Sequence, residues 1–250
     1  MNQYLGQTRT APAGRADMAV DAGLRSFMLG VYNKMALGLL LSGVLAFIAG
    51  TVPEVSQLVF GTPLRWVVMF GPLAILLISS FAMKNPSPAG ANLVYWSVVA
   101  LIGVGMGALL IVYGGRPSGM MDITKAFLVT SLTFGALSLW GYTTKRDLTG
   151  MGTFLMMGLF GLIIASLVNF GFAAFTGAPI EGLSVIISVL GVLIFAGLTA
   201  YDTQRLKFMY YDLGGDQRSM AVATTYGALN LYLNFINLFQ FILSLMSSRD

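Results

Sequence analysis

The chain has 250 residues, of which 56% are hydrophobic and only 10% are Asp, Glu, Lys or Arg, where an ordinary soluble domain carries roughly 25% charged residues. With a mean hydropathy of +0.80, too little polar surface remains to coat a water-soluble globule, and the composition is that of a polytopic helical membrane protein. The absence of His and Cys excludes disulfides, thiol nucleophiles, imidazole proton relays and zinc sites built on imidazole or thiolate. The fourteen basic residues against ten acidic ones give a net charge of +4, but they are scattered, so they form no nucleic-acid patch and bear on membrane orientation instead.

Residues 1–24 are polar and small, lack an apolar core of signal-peptide length, and are expected to form a disordered cytosolic tail. Residues 25–250 then form one membrane domain with an all-α, seven-span architecture. Apolar runs over 27–50, 64–83, 91–113, 122–142, 151–173, 183–206 and 221–246 are each long enough to cross about 30 Å of hydrocarbon at roughly 1.5 Å per residue. Breaks fall at TVPE (51–54), KNPSPAG (84–90), GGRPSG (114–119), TKRD (144–147), TGAPIEG (176–182) and LGGDQRS (213–219), where Pro and Gly stop helices. Positive residues resist translocation. A cytoplasmic N-terminus places Arg9, Arg15, Arg25, Lys84, Lys145, Arg146, Arg205, Lys207 and Arg218 inside. It leaves Arg65, Arg116 and Arg249 outside, with Lys125 able to join them and Lys34 able to snorkel back to the cytoplasmic surface. The expected orientation is N-inside, with the C-terminus on the opposite side.

The glycines of GVGMGALL (Gly103, Gly105, Gly107) sit mid-span with no strand before them, so they fail the context of a dinucleotide loop and read as close helix contacts. Gly38 with Ser42, Gly158 with Gly161, and Gly191 with Gly197 read the same way. Trp66, Trp96 and Trp140 are expected as interfacial anchors. Ser118 lies in an external loop without a base to activate it, and no catalytic constellation or cofactor loop is found; a non-enzymatic role without a cofactor is expected.

The sixth span carries Asp202 at the end of an unbroken apolar run. A carboxylate at that depth is costly unless it pairs or faces an aqueous cavity. One reading pairs it with Arg205, a turn away on the same face; the other makes it part of an internal polar site. In the seventh span Asn230, Asn234 and Asn237 recur at i, i+4 and i+7, which puts three amides on one helix face. Hydrocarbon cannot satisfy them, so this face looks into the bundle, as interhelical glue worth about 1 kcal/mol per contact or as the wall of a polar path.

The strings GYTTKRDLTGMGTFLMMGLFGLIIASLVN (141–169), GLTAYDTQRLK (197–207) and GALNLYLNFINLFQF (227–241), with FMLGVYNKMALGLLLSG (27–43), resemble the Bax inhibitor-1 (TMBIM) family and its bacterial YccA-like branch, over residues 25–246. The resemblance implies a seven-helix fold with the last helix central and a pH-sensitive calcium leak. In the family picture an aspartate in the AYDTQ-type segment meets a second in the LYLD-type helix, and the pair shares a proton. The first carries over to Asp202, whereas the second position is Asn234, so the two-carboxylate switch is not available here. A basic residue deep in the second span has no counterpart, because Arg65 and Lys84 lie at its ends. Asp202 is then expected to meet calcium only in passing, with Asn230 and Asn234 supplying neutral oxygens, since Ca²⁺ favours about six to eight oxygen ligands. The alternative implied by the YccA-like branch is an interaction protein, a substrate or modulator of a membrane-bound FtsH-type protease gripped by the tail. Beyond the lipid bilayer no other partner is indicated, and the oligomeric state is open.

Overall fold

The computed structural model describes residues 13–83 and 85–247, with the side chains of 13–21 and 181 left aside. The described residues are helical apart from short connections: α1 (Ala13–Thr51), α2 (Pro53–Phe60), α3 (Leu64–Ala82), α4 (Pro88–Gly114), α5 (Gly119–Thr143), α6 (Thr149–Thr176), α7 (Glu181–Asp212) and α8 (Gln217–Ser247). Seven of these have the length and apolar character of membrane spans; six of the seven expected runs fall within them, and the run 64–83 passes the end of α3 by one residue, Met83 being its C-cap.

The differences lie at the ends. Helix α1 begins at Ala13, so residues 13–24, expected in a disordered tail, are its first turns. The run Gly14–Leu24 contains no proline, and nothing local stops the helix from continuing backwards. Residues 1–12 of the expected tail, Lys84 and Arg249 lie outside the described residues. Helix α7 runs 32 residues, or about 48 Å, and carries its polar end well past the hydrocarbon. The extra helix α2 follows the TVPE break, because Pro53 occupies its first turn, where a missing N–H costs nothing. The turns at Gly177 (φ 84°) and at Gly214–Gly215 (φ 57° and 86°) take the left-handed conformation that only glycine adopts cheaply.

Helix α8 is central: it packs against α1, α4, α5 and α7, while α3 leans on α4 and α6 on α7. Its buried residues include Leu229, Leu231, Tyr232, Phe235, Leu238 and Leu243. The rest of the bundle turns large apolar side chains outwards, as at Phe81 and Phe175, a distribution that fits lipid and not water. The tightest pairing joins α1 to α4. A Cβ on Gly103 would stand 2.7 Å from the Cα of Ser42, and one on Gly107 would stand 2.8 Å from the Cβ of Ala49. The glycines therefore permit backbone contact, as expected of small residues in a membrane interface. Gly191 and Gly197 serve the same end under Phe241 and Leu155, whereas Gly161 faces open space. Trp66 and Trp140 are exposed near helix ends. Trp96 instead packs edge-on to the buried Tyr95, with centroids 4.9 Å apart, so it is part of the packed bundle and not an exposed anchor.

Candidate functional site

In the TAYDTQ stretch of α7 (199–204), Thr199 and Thr203 are fully buried and return their hydroxyls to the carbonyls of Phe195 and Thr199. Gln204 is buried towards the α5–α6 corner. Its amide nitrogen donates to the Arg146 carbonyl (2.7 Å) and its oxygen accepts from the Leu148 N–H (2.8 Å). Lys207 donates to the Tyr142 carbonyl at the same end of the bundle. With these faces occupied, Tyr201, Asp202 and Arg205 look the other way, into a cavity of about 830 Å³ bounded by α3, α6, α7 and α8.

Asn230, Asn234 and Asn237 all line that cavity, so the structure gathers the asparagine face of α8 and Asp202 with Arg205 of α7 into one place. Asn234 is buried, and its Nδ2 donates to Oδ2 of Asp202 at 2.7 Å. Asn237 returns its amide hydrogen to the Leu233 carbonyl within its own helix. Asn230 is exposed to the cavity and makes no hydrogen bond to another described residue. Of the two readings of Asp202, the ion pair with Arg205 is not found among the described residues: Arg205 is exposed, and Asn234 is the group that meets the carboxylate. The i, i+3 spacing brings both side chains to one cavity, but the neighbouring helix supplies the closer partner. The remaining wall is apolar, with Phe70 and Leu73 of α3 facing Leu159 and Ile163 of α6.

Among the described residues no three His, Cys, Asp or Glu side chains gather into a metal-binding group. Asp202 is the one carboxylate among the described residues lining this cavity, which it shares with the three asparagine amides and the Arg205 guanidinium. Such a wall can attract a cation and exchange some of its water for amide oxygens, and it cannot hold calcium tightly.

A second polar cluster went unread in the sequence. Lys34, expected to snorkel to the surface, turns inwards: its ammonium donates to Oδ1 of Asn92 on α4 and, at 2.7 Å, to Oγ1 of Thr225 on α8. It also lies over the Tyr95 ring, 5.6 Å from the centroid, and Tyr95 donates to the Lys34 carbonyl. Acceptors placed level with the ammonium remove the reason to snorkel. Farther along the same interface, Ser42 bonds the Tyr232 hydroxyl (2.7 Å) and donates to the Val99 carbonyl. At the opposite end of the bundle the buried Asp122 accepts a hydrogen bond from Ser118, which is thereby a local partner for that carboxylate. Asn92 within an otherwise apolar span was the one available signal for the Lys34 cluster.

A central helix packed against four others, with a carboxylate and an amide meeting in a cavity between apolar helices of membrane-spanning length, defines a multi-pass membrane protein. The family model described as inhibitor of apoptosis-promoting Bax1 matches residues 24–250. An uncharacterized protein of Caulobacter vibrioides is 55% identical, covering 98% of this chain and 97% of that one. The inner membrane protein YbhL of Escherichia coli is 37% identical over 94% of this chain and 97% of its own length. An uncharacterized membrane protein of Streptococcus pyogenes is 31% identical over 92% and 96%. The chain belongs to the Bax inhibitor-1 family, and it is a multi-pass membrane protein.

Proposed function

We propose that the protein provides a calcium-conducting cation leak across the bacterial inner membrane, past Asp202 and the Asn230, Asn234 and Asn237 face of α8. The observation that carries this reading is the cavity of about 830 Å³ in which those four side chains converge between membrane-spanning helices. An intramembrane carboxylate is expensive and is ordinarily retained for transport or proton work. Here its partner is a neutral amide, so the charge of Asp202 remains available to a passing cation. Ionised Asp202 admits the cation and protonated Asp202 does not, which makes flux fall as pH drops through the titration of that one group. The gating is then that of a single carboxylate, unlike the proton-sharing pair that the resemblance implied. The leak runs with the N-terminus cytoplasmic, the side favoured by Lys145, Arg146, Lys207 and Arg218.

The test is calcium entry into proteoliposomes loaded with a calcium dye, between pH 5 and 8. Wild type is expected to leak, Asp202→Asn to lose most of the flux and all of its pH dependence, and Asn234→Asp to acquire a steeper pH dependence. Wild-type flux retained in folded Asp202→Asn would remove the pathway from this cavity.

A further inference from the structure

The polar face of α8 does not stop at Asn237. One turn farther it presents Phe241, and beyond that Ser244, with Gln240 beside them. These residues open onto a second cavity, of about 420 Å³, lined also by Ser166 and Asn169 of α6 and by Ser184 and Ser188 of α7. The two cavities share Ser166, Phe170 and Phe241. They therefore abut end to end along the α6–α7–α8 seam, the first holding Asp202 and the second lying towards the α6–α7 turn.

The second chamber is polar without being charged. Ser188 and Ser244 are bonded across α7 and α8 at 2.9 Å, and Asn169 donates to Ser184 at 2.8 Å while its oxygen accepts from the Ile180 N–H at 2.9 Å. Ser166 and Gln240 make no hydrogen bond to another described residue. Hydroxyl oxygens keep acceptor lone pairs even when they donate, so this chamber offers neutral oxygens to water or to a hydrated cation. Between the chambers the ring of Phe241 is half-buried and stacked on Phe195, with centroids 5.8 Å apart and planes inclined by 24°. It rests on Gly191, where a Cβ would come within 2.5 to 2.7 Å of ring carbons. The glycine is thus the socket that lets the ring lie in this position.

Resting on the leak reading above, we propose that these cavities are two chambers of one passage, that the outer one takes a small hydrated cation on neutral hydroxyl and amide oxygens, and that Phe241 is the apolar barrier between them. Phe170 also borders both chambers, but Phe241 is the ring stacked in the seam between α7 and α8; an apolar ring there slows ion passage by dewetting, without any charge and without sealing the leak. The neutral outer chamber makes no strong hold on the ion, and the carboxylate acts only after the barrier.

The chain has no cysteine, so single thiols report access directly. Asn230→Cys places a thiol in the inner chamber and Ser244→Cys one in the outer. In oriented proteoliposomes, a membrane-impermeant methanethiosulfonate is added to either side. With Phe241 in place, the thiol at 230 is expected to react only from the side of the Lys145–Arg146 loop and the thiol at 244 only from the opposite side. In the Phe241→Ala background each is expected to react from the far side at least tenfold faster, while near-side reaction, unchanged, shows that the bundle is folded. Where Phe241→Ala fails that control, Gly191→Ala displaces the ring without removing it. Far-side labelling that does not change while near-side labelling persists overturns the barrier, whether or not calcium leaks. Far-side labelling gained with no calcium flux upholds the passage and overturns calcium as its cargo.

Discussion

The contact between Asp202 and Asn234 can be weighed by a double-mutant cycle. The amide nitrogen lies 2.7 Å from the carboxylate oxygen, at the short end for a charge-assisted bond, and among the described residues no ion pair competes for the carboxylate. Hydrogen bonds to charged groups contribute about 1.5–3 kcal/mol in water-soluble proteins, against an average of roughly 0.6 and a maximum near 1.7 for polar pairs between membrane helices. A part-buried carboxylate with one donor belongs at the upper end of the membrane range, so a coupling of about 1.5 kcal/mol, or roughly tenfold in the folding equilibrium, is expected. Asn234→Ala alone costs more than the coupling, because it leaves Asp202 without its donor; Asp202→Ala costs less, and the double variant costs less than their sum. Reversible unfolding in mixed micelles of increasing SDS content at pH 8, followed by helical circular dichroism, measures all four corners. Effects that add to within about 0.3–0.5 kcal/mol would refute the claim that the two side chains act on each other.

Two further outcomes follow from the same structure. Lys34→Met keeps the aliphatic stem and removes the ammonium that joins Asn92 to Thr225; a loss of about 1–2 kcal/mol is expected in the same unfolding assay, from acceptors left unpaired, and an unchanged midpoint would return Lys34 to the surface. At the solvent-exposed corners, hydrogen bonds from Thr149 hold the Asp147 carboxyl below the ordinary aspartate value, and those from Ser219, with the nearby Arg218, do the same for Asp216. A carboxyl with a depressed folded pKa contributes stability that is present above the unfolded value and lost as pH falls through the folded one. Amide exchange at Thr149 and Ser219, corrected for intrinsic rate, is therefore expected to lose protection only below about pH 4; loss already at pH 6 would contradict these caps.

How much of this was legible in the sequence depended on range. The spans were, since about twenty apolar residues in a row have few other uses. Helix ends were not, because Arg205 and Lys207 read as the end of a span while α7 continues to Asp212 with Leu206, Met209 and Tyr210 packed on the core, and α2 hides behind a proline that reads as a stop. The asparagine face of α8 was legible from spacing alone, and its meeting with Asp202 from the resemblance. The partner of Asp202 was not legible from local spacing: a turn of helix pointed to Arg205, and the carboxylate is met from another helix, 32 residues on. Lys34 was misread for a related reason, since its two acceptors lie 58 and 191 residues away and only the packing of α1, α4 and α8 puts them level with it. The chamber beyond Phe241 was not legible, because its polar residues come as pairs one turn apart on three helices, and such a pair marks no chamber until the helices are packed together.

Gln204 grips the α5–α6 corner solely by main-chain groups, the Arg146 carbonyl and the Leu148 N–H. A clamp that reads backbone is blind to side chains. The corner can therefore exchange Lys145 and Arg146 for other residues without changing shape, so that the basic pair is free to answer to membrane topology alone while the loop's form is stored on another helix. Variation would be tolerated along the loop and punished at position 204, and a corner whose residues drift would still hold α5, α6 and α7 as one block.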